Sequence, residues 1–266
     1  MSVLDIAMTV ADAAAARMPA ATPTPTQLQR CRLISHRGEH DNIEVHENTL
    51  AAFQAACDAG VWGIECDIRF TADAVPVICH DSDPVRVFGR GEPVSTLTFA
   101  QLRRTLPNIP SLAEVIASFA GKMHLMLEVK AEDWPRGARH AHALRDALSD
   151  LTPVLDYHVL SLHTPMFDRL AFIPPQACLP VAELNVAAMS RYALQRGCAG
   201  IGGHYLLLGK GLQDSHASAG QQLGVGFPAS RNCFYRQVAR GIEWVFSNDA
   251  VLLESLRQQA IRAQAG

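Results

Sequence analysis

Five short clusters of charged or polar residues sit at the ends of apolar runs in the first half of this chain. An unpaired charge is costly to bury, so strand interiors stay apolar and charges collect where strands end. Charges at the ends of successive runs therefore indicate one shared site. Its content suits a hard metal ion, a phosphate group and two proton carriers. The clusters are His36-Arg37-Gly38, Glu47-Asn48-Thr49, Glu65-Cys66-Asp67, His80-Asp81 and Glu128-Val129-Lys130.

The spacing of the apolar runs predicts a parallel barrel with one short antiparallel hairpin. Only Thr71 to Val75 joins the extended runs 61–70 and 76–80. A parallel crossover needs a dozen or more residues, so these runs must pair antiparallel, which returns His80 to the carboxylates of the first run. Helical stretches separate the other runs, and about 250 residues is the usual length of a (β/α)8 barrel. The fold class predicted is α/β, a (β/α)8 TIM barrel with a hairpin return arm at its mouth. Without that arm the candidate strands are 32–36, 61–70, 123–129, 154–160, 178–183, 199–203, 223–227 and 244–246.

The chain divides at about residue 30 into an N-terminal extension and one catalytic domain. Residues 1–17 are Ala-rich and predict a short helix, and the Pro- and Thr-rich stretch 19–27 predicts an extended linker. The helix is expected either to pack on the bottom of the barrel, which we prefer, or to be a frayed tail. Residues 31–266 are expected to form a single TIM-barrel domain.

Composition excludes several classes of protein. The chain has 266 residues, of which 48% are hydrophobic and 18% charged, and a formal net charge of −3. No basic stripe favours nucleic acid, and no apolar run reaches the roughly 18 residues that a membrane span requires. Asp5 and Asp12 interrupt the N-terminal apolar stretch, which argues against a signal peptide. Seven cysteines form no CxxC pair, so free thiols and a cytoplasmic location are expected.

Glu65, Asp67 and Glu128 are the candidate metal ligands. Residues two apart on a strand point to one face, so the carboxylates of Glu65 and Asp67 repel each other unless a cation joins them. Glu128 ends a later extended run and can supply a third ligand. Three carboxylates predict one divalent cation, Mg²⁺ or Ca²⁺, with Mn²⁺ as a further possibility. A solvent-facing surface pair is the alternative, but the segment around them is apolar: Val61, Trp62, Ile64 and Ile68.

His36 and His80 are the candidate acid and base, because imidazole titrates near neutral pH and each histidine ends an extended run. Arg37 can bind a phosphate oxygen through two hydrogen bonds, and Lys130 can add a point charge. A solvated surface role is the alternative for either cation. Glu47 either marks a helix start or projects toward the mouth, where it would hydrogen-bond a catalytic histidine or support the residues that touch substrate.

The five clusters also resemble the glycerophosphodiester phosphodiesterase family, whose pattern reads H-R-G, E-N-T, E-x-D, H-D and E-x-K. The stretches 109–115 and 241–249 are similar to the family as well. The resemblance implies a TIM barrel, a divalent metal and hydrolysis of glycerophosphodiesters to glycerol 3-phosphate and an alcohol. Carried over by motif, the acid and base roles fall to His36 and His80 and the metal to Glu65, Asp67 and Glu128. Arg37 would then contact the phosphate, with Lys130 near the substrate.

Departures from the family pattern bear on the substrate more than on the chemistry. The loop 39–46 is long, and Gly226-Phe-Pro-Ala-Ser230 replaces the usual Trp-Thr-Val-Asn. Ala74 replaces the turn glycine of T-x-D-G, so the hairpin turn is expected to differ in detail. Trp134 is assigned with these variable loops to the leaving alcohol.

The expected partner is a small-molecule phosphodiester. Two other classes of function stay open: a lysophospholipase D or sphingomyelinase D-like activity on the same fold, and a non-catalytic phosphate- or metal-binding barrel. A greasy rim facing a membrane would favour the first, whereas the presence of both His36 and His80 argues against the second.

Overall fold

The strands of the computed structural model, which describes residues 13–89, 91–135 and 137–265, close into the predicted barrel. Eight strands of this described part run parallel, and β1 closes the ring by pairing with both β2 and β9. The TIM-barrel prediction is confirmed. The strands are β1 Arg32–His36, β2 Gly63–Phe70, β3 Pro76–Ile78, β4 His124–Val129, β5 Tyr157–Ser161, β6 Cys178–Ala182, β7 Gly200–His204, β8 Gln222–Gly226 and β9 Trp244–Ser247.

The one strand outside the parallel ring of the described residues, β3, is the predicted return arm. It pairs antiparallel with β2, with Ile68 opposite Ile78 and Phe70 opposite Pro76. A further hydrogen bond of 2.9 Å from the Cys79 amide to the Asp67 carbonyl carries the pairing down toward the barrel. The next residue, His80, is therefore delivered beside the carboxylates of β2, as the short connection required.

The turn of this hairpin differs from its expected form. Ala74 occupies the position of the missing glycine and still adopts the left-handed conformation, with φ of 64°. An L-residue pays about 1–2 kcal/mol for that backbone, because its Cβ approaches the following carbonyl. Thr71 and Asp73 secure the turn, since the Thr71 hydroxyl donates to Asp73 Oδ1 at 2.6 Å and accepts from the Val75 amide. Alanine at this position therefore keeps the left-handed turn conformation, although that conformation is strained for it.

Helices surround the barrel, and their caps follow sequence signals. Thr49 caps the helix after β1 by accepting from the Ala52 amide. Ser111 and Glu114 form the predicted capping box. The helices are α1 Pro25–Arg30, α2 Leu50–Asp58, α3 Val85–Phe88, α4 Phe99–Thr105, α5 Leu112–Phe119, α6 Gly137–Ala147, α7 Pro165–Arg169, α8 Val186–Arg196, α9 Lys210–Ser218, α10 Arg231–Ala239 and α11 Ala250–Ala265, with 3₁₀ turns at Val94–Thr96 and Pro175–Ala177.

The N-terminal region follows its prediction only in part. Residues 1–12 of the predicted helix lie outside the described residues, whereas 13–17 are helical. The linker prediction is wrong for residues 25–27, which open α1. Thr24 and Gln27 form a capping box and Pro25 takes the first helical position, where its missing N–H costs nothing. Leu28 of α1 is fully buried in the core, and its carbonyl accepts from Arg257 of α11 at 2.9 Å.

The barrel separates two apolar layers. A large outer layer packs between the strands and the helices. A smaller inner layer fills the barrel with Ile34, Met126, Leu160, Leu179, Trp244 and Phe246. Side chains alternate along each strand, so the inward positions above this inner layer, toward the carboxyl ends of the strands, are left for polar residues. No helix among the described residues is both long and apolar enough to cross a membrane.

Candidate active site

Three buried carboxylates meet at the mouth of the barrel. Glu65 and Asp67 point inward from β2, and Glu128 lies opposite Asp67 in the parallel register of β2 and β4. The three are at most 9% exposed, and one oxygen from each lies within 4.8 Å of the others. Because the register of two neighbouring strands sets their positions, the barrel itself brings the charges together. The grouping predicted from the sequence is confirmed.

Two cations partly neutralise this group. The Arg37 guanidinium contacts Asp67 Oδ2 through Nε at 3.2 Å, and Lys130 Nζ lies 2.7 Å from Asp67 Oδ1 and also pairs with Glu128. Burial alone would raise the pKa of Asp67, but Lys130 and Arg37 outweigh it and hold the pKa well below its ordinary value. Asp67 is therefore the ionised centre of the cluster.

Glu65 has a different balance of forces. Burial, followed by the charges of Asp67 and Glu128, raises its pKa well above the ordinary value of 4.5. Its Oε2 accepts the Arg37 amide at 3.2 Å, whereas its Oε1 is buried without a hydrogen-bond partner. The pKa of Glu128 is also raised, by burial and then by Asp67. Three carboxylates face two cations here, so negative charge is left over and a buried acceptor is free. These residues fit a divalent cation.

The backbone at His36-Arg37-Gly38 explains why the cluster needs a glycine. Gly38 adopts φ of 81°, and a Cβ at this position would lie 2.7 Å from the Ala52 backbone of α2. The chain must therefore pass directly under the helix. This tight passage turns Arg37, itself at φ of 62°, back toward β2.

His36 lies on the inner edge of the site with an amide partner. Its Nδ1 is 2.6 Å from Asn248 Oδ1, so Nδ1–H donates and Nε2 keeps its lone pair. Nε2 lies 3.7 Å from Glu65 Oε2. Burial, and then the charge of Arg37, lowers the pKa of His36 to about 4. A neutral imidazole with a free lone pair facing the carboxylates is poised to accept a proton.

His80 has a carboxylate partner instead. Its Nδ1 donates to Asp81 Oδ1 at 2.8 Å, and Asp81 Oδ2 accepts from Arg86 Nε at 2.6 Å. Burial lowers the pKa of His80, while Asp67 and the hydrogen bond to Asp81 oppose the fall. Arg86 continues to Glu47, with two contacts of 2.6 and 3.0 Å. The histidine is thus anchored through Asp81 and Arg86 to Glu47.

Glu47 supports other residues rather than touching a histidine. It accepts from Arg37 Nη1 at 3.0 Å and from Arg86, and Asn42 Nδ2 donates to it at 2.8 Å. Burial would raise the pKa of Glu47, but these partners lower it to about 2. The sequence left open whether Glu47 hydrogen-bonds a catalytic histidine or supports other residues at the mouth. The first of these is wrong, because none of the described hydrogen bonds of Glu47 is with a histidine. Glu47 orients the arginines that flank the carboxylates.

Several functional residues escaped the sequence reasoning. Asn48 donates from Nδ2 to Asp67 Oδ2 at 2.7 Å, although only the E-N-T spelling drew attention to it. Arg86 and Asn248 lie in segments that no single-sequence pattern connects to the two histidines. Trp134, by contrast, is 8% exposed and stacks on His140, with ring centroids 5.6 Å apart. Its contact with the leaving alcohol stays a prediction, since the described contacts of its ring are with Phe70, His140 and Arg169.

Two cavities of opposite character adjoin the carboxylates. The polar cleft, of about 570 Å³, is lined by His80, Asp81, Asp83, Arg86, Lys130 and other residues. The apolar cavity, of about 70 Å³, lies on the His36 side, against Leu160, Leu179, Val181, Phe227 and Phe246. Glu128 borders both cavities. A group bound at the carboxylates would therefore extend into a polar space on one side and an apolar space on the other.

Comparison with known proteins relates this site to a family of enzymes. The structure combines a parallel barrel with three clustered acids that could hold a metal ion, two histidines and an arginine. Residues 36–161 match the model of the glycerophosphoryl diester phosphodiesterase family. The resemblance expected from the five clusters is confirmed. All five clusters and the stretch 109–115 lie inside the matched segment, whereas the stretch 241–249 lies beyond it.

Similar proteins add detail. Glycerophosphodiester phosphodiesterase 1 of Bos taurus is 34% identical over 134 residues, which cover 45% of this chain but only 37% of that protein. A glycerophosphodiester phosphodiesterase from Galdieria sulphuraria superposes with a TM-score of 0.75 at 18% identity, over 90% of this chain and all of that one. An Oleispira antarctica phosphodiesterase, solved with the product sn-glycerol-3-phosphate, gives a TM-score of 0.71 at 22% identity, over 87% of this chain and 96% of that one. These structures share the fold.

Proposed function

We propose that this protein hydrolyses glycerophosphodiesters to glycerol 3-phosphate and an alcohol, using one divalent cation and two histidines. The observation that carries this proposal is the placement of two histidines with different partners around three buried carboxylates. The names of the matched relatives support it. The Oleispira antarctica structure, which has the same fold, holds the glycerol phosphate product that the proposed reaction would release.

The cation would be held by Glu65, Asp67 and Glu128. Oxygen ligands favour Mg²⁺ or Ca²⁺, and Mn²⁺ also suits such a site. When bound, the cation would supply positive charge that stabilises the phosphate oxygens as negative charge develops on them. The partnerless Oε1 of Glu65 and its raised pKa support this assignment, because both mark negative charge that Arg37 and Lys130 leave uncompensated.

Arg37 and Lys130 would bind and orient the phosphate. Both are partly buried beside Asp67, where charge-assisted hydrogen bonds are stronger than in water. Glu47 accepts a hydrogen bond from Arg37 Nη1, which would fix the guanidinium before substrate arrives. Preorganised donors of this kind stabilise transition-state charge without a cost of reorganisation during the reaction.

The different partners of the two histidines support different roles for them. His36 Nε2 carries the lone pair and would take the proton from the attacking hydroxyl, which is either a neighbouring hydroxyl of the substrate or water. His80, anchored by Asp81, would give a proton to the oxygen of the departing alcohol. A bound phosphodiester is anionic and raises the pKa of a nearby imidazole, which favours the protonated form that His80 needs. With a substrate hydroxyl as nucleophile, water then opens the cyclic phosphate with the two roles exchanged.

The expected partner and location remain part of the proposal. A small-molecule phosphodiester fits the polar cleft of about 570 Å³. All seven cysteines are free thiols, which supports a reducing compartment and the cytoplasmic location proposed from the sequence.

The test compares leaving groups. Glycerophosphocholine needs a proton on its departing alcohol, whereas p-nitrophenolate leaves without one. We expect His80→Ala to lose about 10²–10⁴-fold in kcat on glycerophosphocholine and far less on a p-nitrophenyl glycerophosphodiester. His36→Ala should lose comparably on both substrates, and exposed His142 serves as the matched control in His142→Ala.

Two results would overturn these assignments. Equal losses of His80→Ala on both substrates would remove His80 from the acid role. Failure of the wild-type protein to release glycerol 3-phosphate from either substrate, with Mg²⁺, Ca²⁺ or Mn²⁺ supplied, would reject the function itself.

A further inference from the structure

The wall of the polar cleft includes an arginine that no step of the proposed reaction uses. Arg69 lies two residues beyond Asp67 on β2, so its side chain leaves the strand on the same face as the carboxylates. That side chain is 13% exposed. An arginine beside a phosphate site would ordinarily be assigned to the phosphate. The contacts of Arg69 indicate a different role.

Arg69 binds the main chain of His80. Its Nε and Nη2 both donate to the His80 carbonyl, at 2.9 and 2.8 Å. Two N–H groups on one edge of a planar guanidinium fix an acceptor in direction as well as in distance. The main chain of the proposed acid is thus held from β2, the strand that carries Glu65 and Asp67.

Glu132 binds the same guanidinium through another nitrogen. Arg69 Nη1 donates to Glu132 Oε2 at 3.1 Å, and the Phe70 amide donates to Glu132 Oε1 at 3.0 Å. Both oxygens of a largely buried carboxylate therefore bind neighbouring residues at the end of β2. Because Glu132 follows β4, which ends at Val129, these contacts join the ends of the two strands that carry the three acids.

The contact to His80 lies where the return arm has left the sheet. Strand β3 ends at Ile78, and the Cys79 amide donates to the Asp67 carbonyl at 2.9 Å. His80 follows on a stretch without regular secondary structure. Since loops are more mobile than strands, a side-chain contact to the main chain limits the movement of His80.

The imidazole of His80 is oriented by a separate contact. Its Nδ1 donates to Asp81, which accepts from Arg86. Asp81 and Arg86 belong to the same loop as His80, so this contact sets the rotation of the ring, whereas Arg69 ties the main chain to the barrel. A catalytic group has to be held within about 0.5 Å of its productive position. Misplacement by about 1 Å can cost about 100-fold in rate.

We propose that Arg69 and Glu132 are positioning residues that hold the main chain of His80 so that its imidazole can protonate the departing alcohol. The proposal rests on the proposed function, from which it takes the acid role of His80. In this role Arg69 touches neither the phosphate nor the alcohol. Its contribution therefore depends on whether the leaving group needs a proton.

Arg69→Lys tests this dependence, because lysine keeps a positive charge beside Glu132 but loses the planar pair of donors. We expect kcat for glycerophosphocholine to fall about 10–100-fold, with KM nearly unchanged. On a p-nitrophenyl glycerophosphodiester, whose leaving group departs without a proton, the loss should be far smaller. Glu132→Gln weakens the hold on Arg69 and should show a smaller loss with the same dependence, which gives a second measurement if Arg69→Lys fails to fold.

Arg103 provides the matched control, because it makes the same kind of contact outside the polar cleft. Its Nη1 donates to the carbonyls of Pro107 and Ile109 at 2.8 and 3.1 Å, and its Nη2 donates to Glu114 at 2.8 Å. Arg103→Lys therefore removes a comparable main-chain contact. Turnover of both substrates should stay at the wild-type level.

The remaining outcomes would overturn the proposal. An equal loss by Arg69→Lys on the two substrates would contradict a positioning role, and a raised KM with it would make Arg69 a phosphate ligand instead. Full activity of folded Arg69→Lys and Glu132→Gln on glycerophosphocholine would remove both residues from the reaction. A loss by Arg103→Lys as large as that of Arg69→Lys would attribute the effect to general stability. These results leave the proposed function intact, whereas hydrolysis of neither substrate by the wild-type protein would reject both proposals.

Discussion

The two sides of the barrel mouth differ in chemistry, since one is lined by charged residues and the other mainly by apolar ones. The charged wall comes from strands β2 and β4 and from the residues directly after β1 and β4. It is formed by Arg37, Glu65, Asp67, Glu128 and Lys130. The apolar wall, formed by Leu160, Leu179, Val181, Phe246 and the glycines of β7 and β8, comes from the later strands. The charged wall is crossed by ion pairs, whereas the apolar wall presents hydrocarbon side chains and glycines to the cavity.

This difference suggests that the charged wall serves the chemistry of the phosphodiester and that the apolar wall influences which alcohols are accepted. Any phosphodiester presents the same charge, so the charged wall has to be specified atom by atom. The alcohols differ between substrates, and the loops and small residues of the later strands can change without disturbing the ion pairs. We therefore expect substitutions in the charged wall to affect all substrates alike, and substitutions in the apolar wall to change their ranking.

Arg37→Ala should reduce activity strongly on every substrate. Its loss removes a phosphate donor and an ion-pair partner of Asp67, so kcat/KM should fall about 10²–10³-fold, as when an oxyanion donor is removed. The loss should be the same for choline, ethanolamine and glycerol esters. Arg30→Ala, which removes a largely exposed arginine paired with Glu243, is the control. A change in the ranking of esters would mean that Arg37 also contacts the alcohol.

Arg86→Ala tests whether the charged wall extends to the return arm. The variant frees Asp81 and Glu47, so His80 loses the support of its anchor, and kcat should fall about 10–100-fold. Because His80 is proposed to act as the acid, the loss should be smaller on a p-nitrophenyl ester. Exposed Arg104 provides the control variant, Arg104→Ala. An equal loss on both esters would assign Arg86 to general stability instead.

Glu65→Gln should separate activity from stability. In the metal-free protein the pKa of Glu65 is raised above its ordinary value of 4.5. The contribution of Glu65 to the free energy of unfolding is therefore fully present below pH 4.5 and is lost as pH rises through the raised pKa. The glutamine cannot ionise, so the stability of the variant relative to the wild-type protein should rise with pH above 4.5 in the metal-free state, by about 1 kcal/mol or more. Activity should nevertheless be lost. Thermal unfolding in chelator across a range of pH checks the sign, and a relative stability of the variant that falls as pH rises would contradict it.

Ala74→Gly is the smallest change and lies outside both walls. Glycine adopts the left-handed backbone of the turn freely, which should stabilise the protein by about 1 kcal/mol after the entropy of its unfolded chain is counted. Turnover of glycerophosphocholine should not change, because the turn touches neither cavity. A shift in the denaturant midpoint measures the gain, and a loss of stability would show that the left-handed alanine is held by contacts worth more than its strain.

The sequence predicted the charged wall better than the apolar wall, for a physical reason. Charges at strand ends are costly unless they meet, so Glu65, Asp67 and Glu128 could be grouped from their positions alone. The short connection from Thr71 to Val75 fixed the place of His80 in the same way. Their supporting partners could not be found so directly, because the loops that bring Arg86 to Asp81 and Asn248 to His36 have no periodic pattern.

The apolar wall shows where single-sequence reasoning stops. Gly202, Gly224 and Gly226 lie in runs that the sequence predicts as strands, but only the closed barrel shows that the three glycines line one cavity. Trp134 illustrates the converse, since an aromatic residue beside an active-site strand proved to be packed against His140. The extended linker before the barrel was mispredicted because prolines suggested a break, although Pro25 opens a helix.

Restoration of activity by metal tests the charged wall most directly. Wild-type protein treated with excess chelator should lose hydrolysis of glycerophosphocholine, and Mg²⁺, Mn²⁺ or Ca²⁺ should restore it with saturation at one site. Asp67→Ala, which removes the ionised centre of the cluster, should stay inactive over the same range of cation. Full turnover by the wild-type protein in excess chelator, or equal restoration of Asp67→Ala, would contradict the assignment of these carboxylates to a cation.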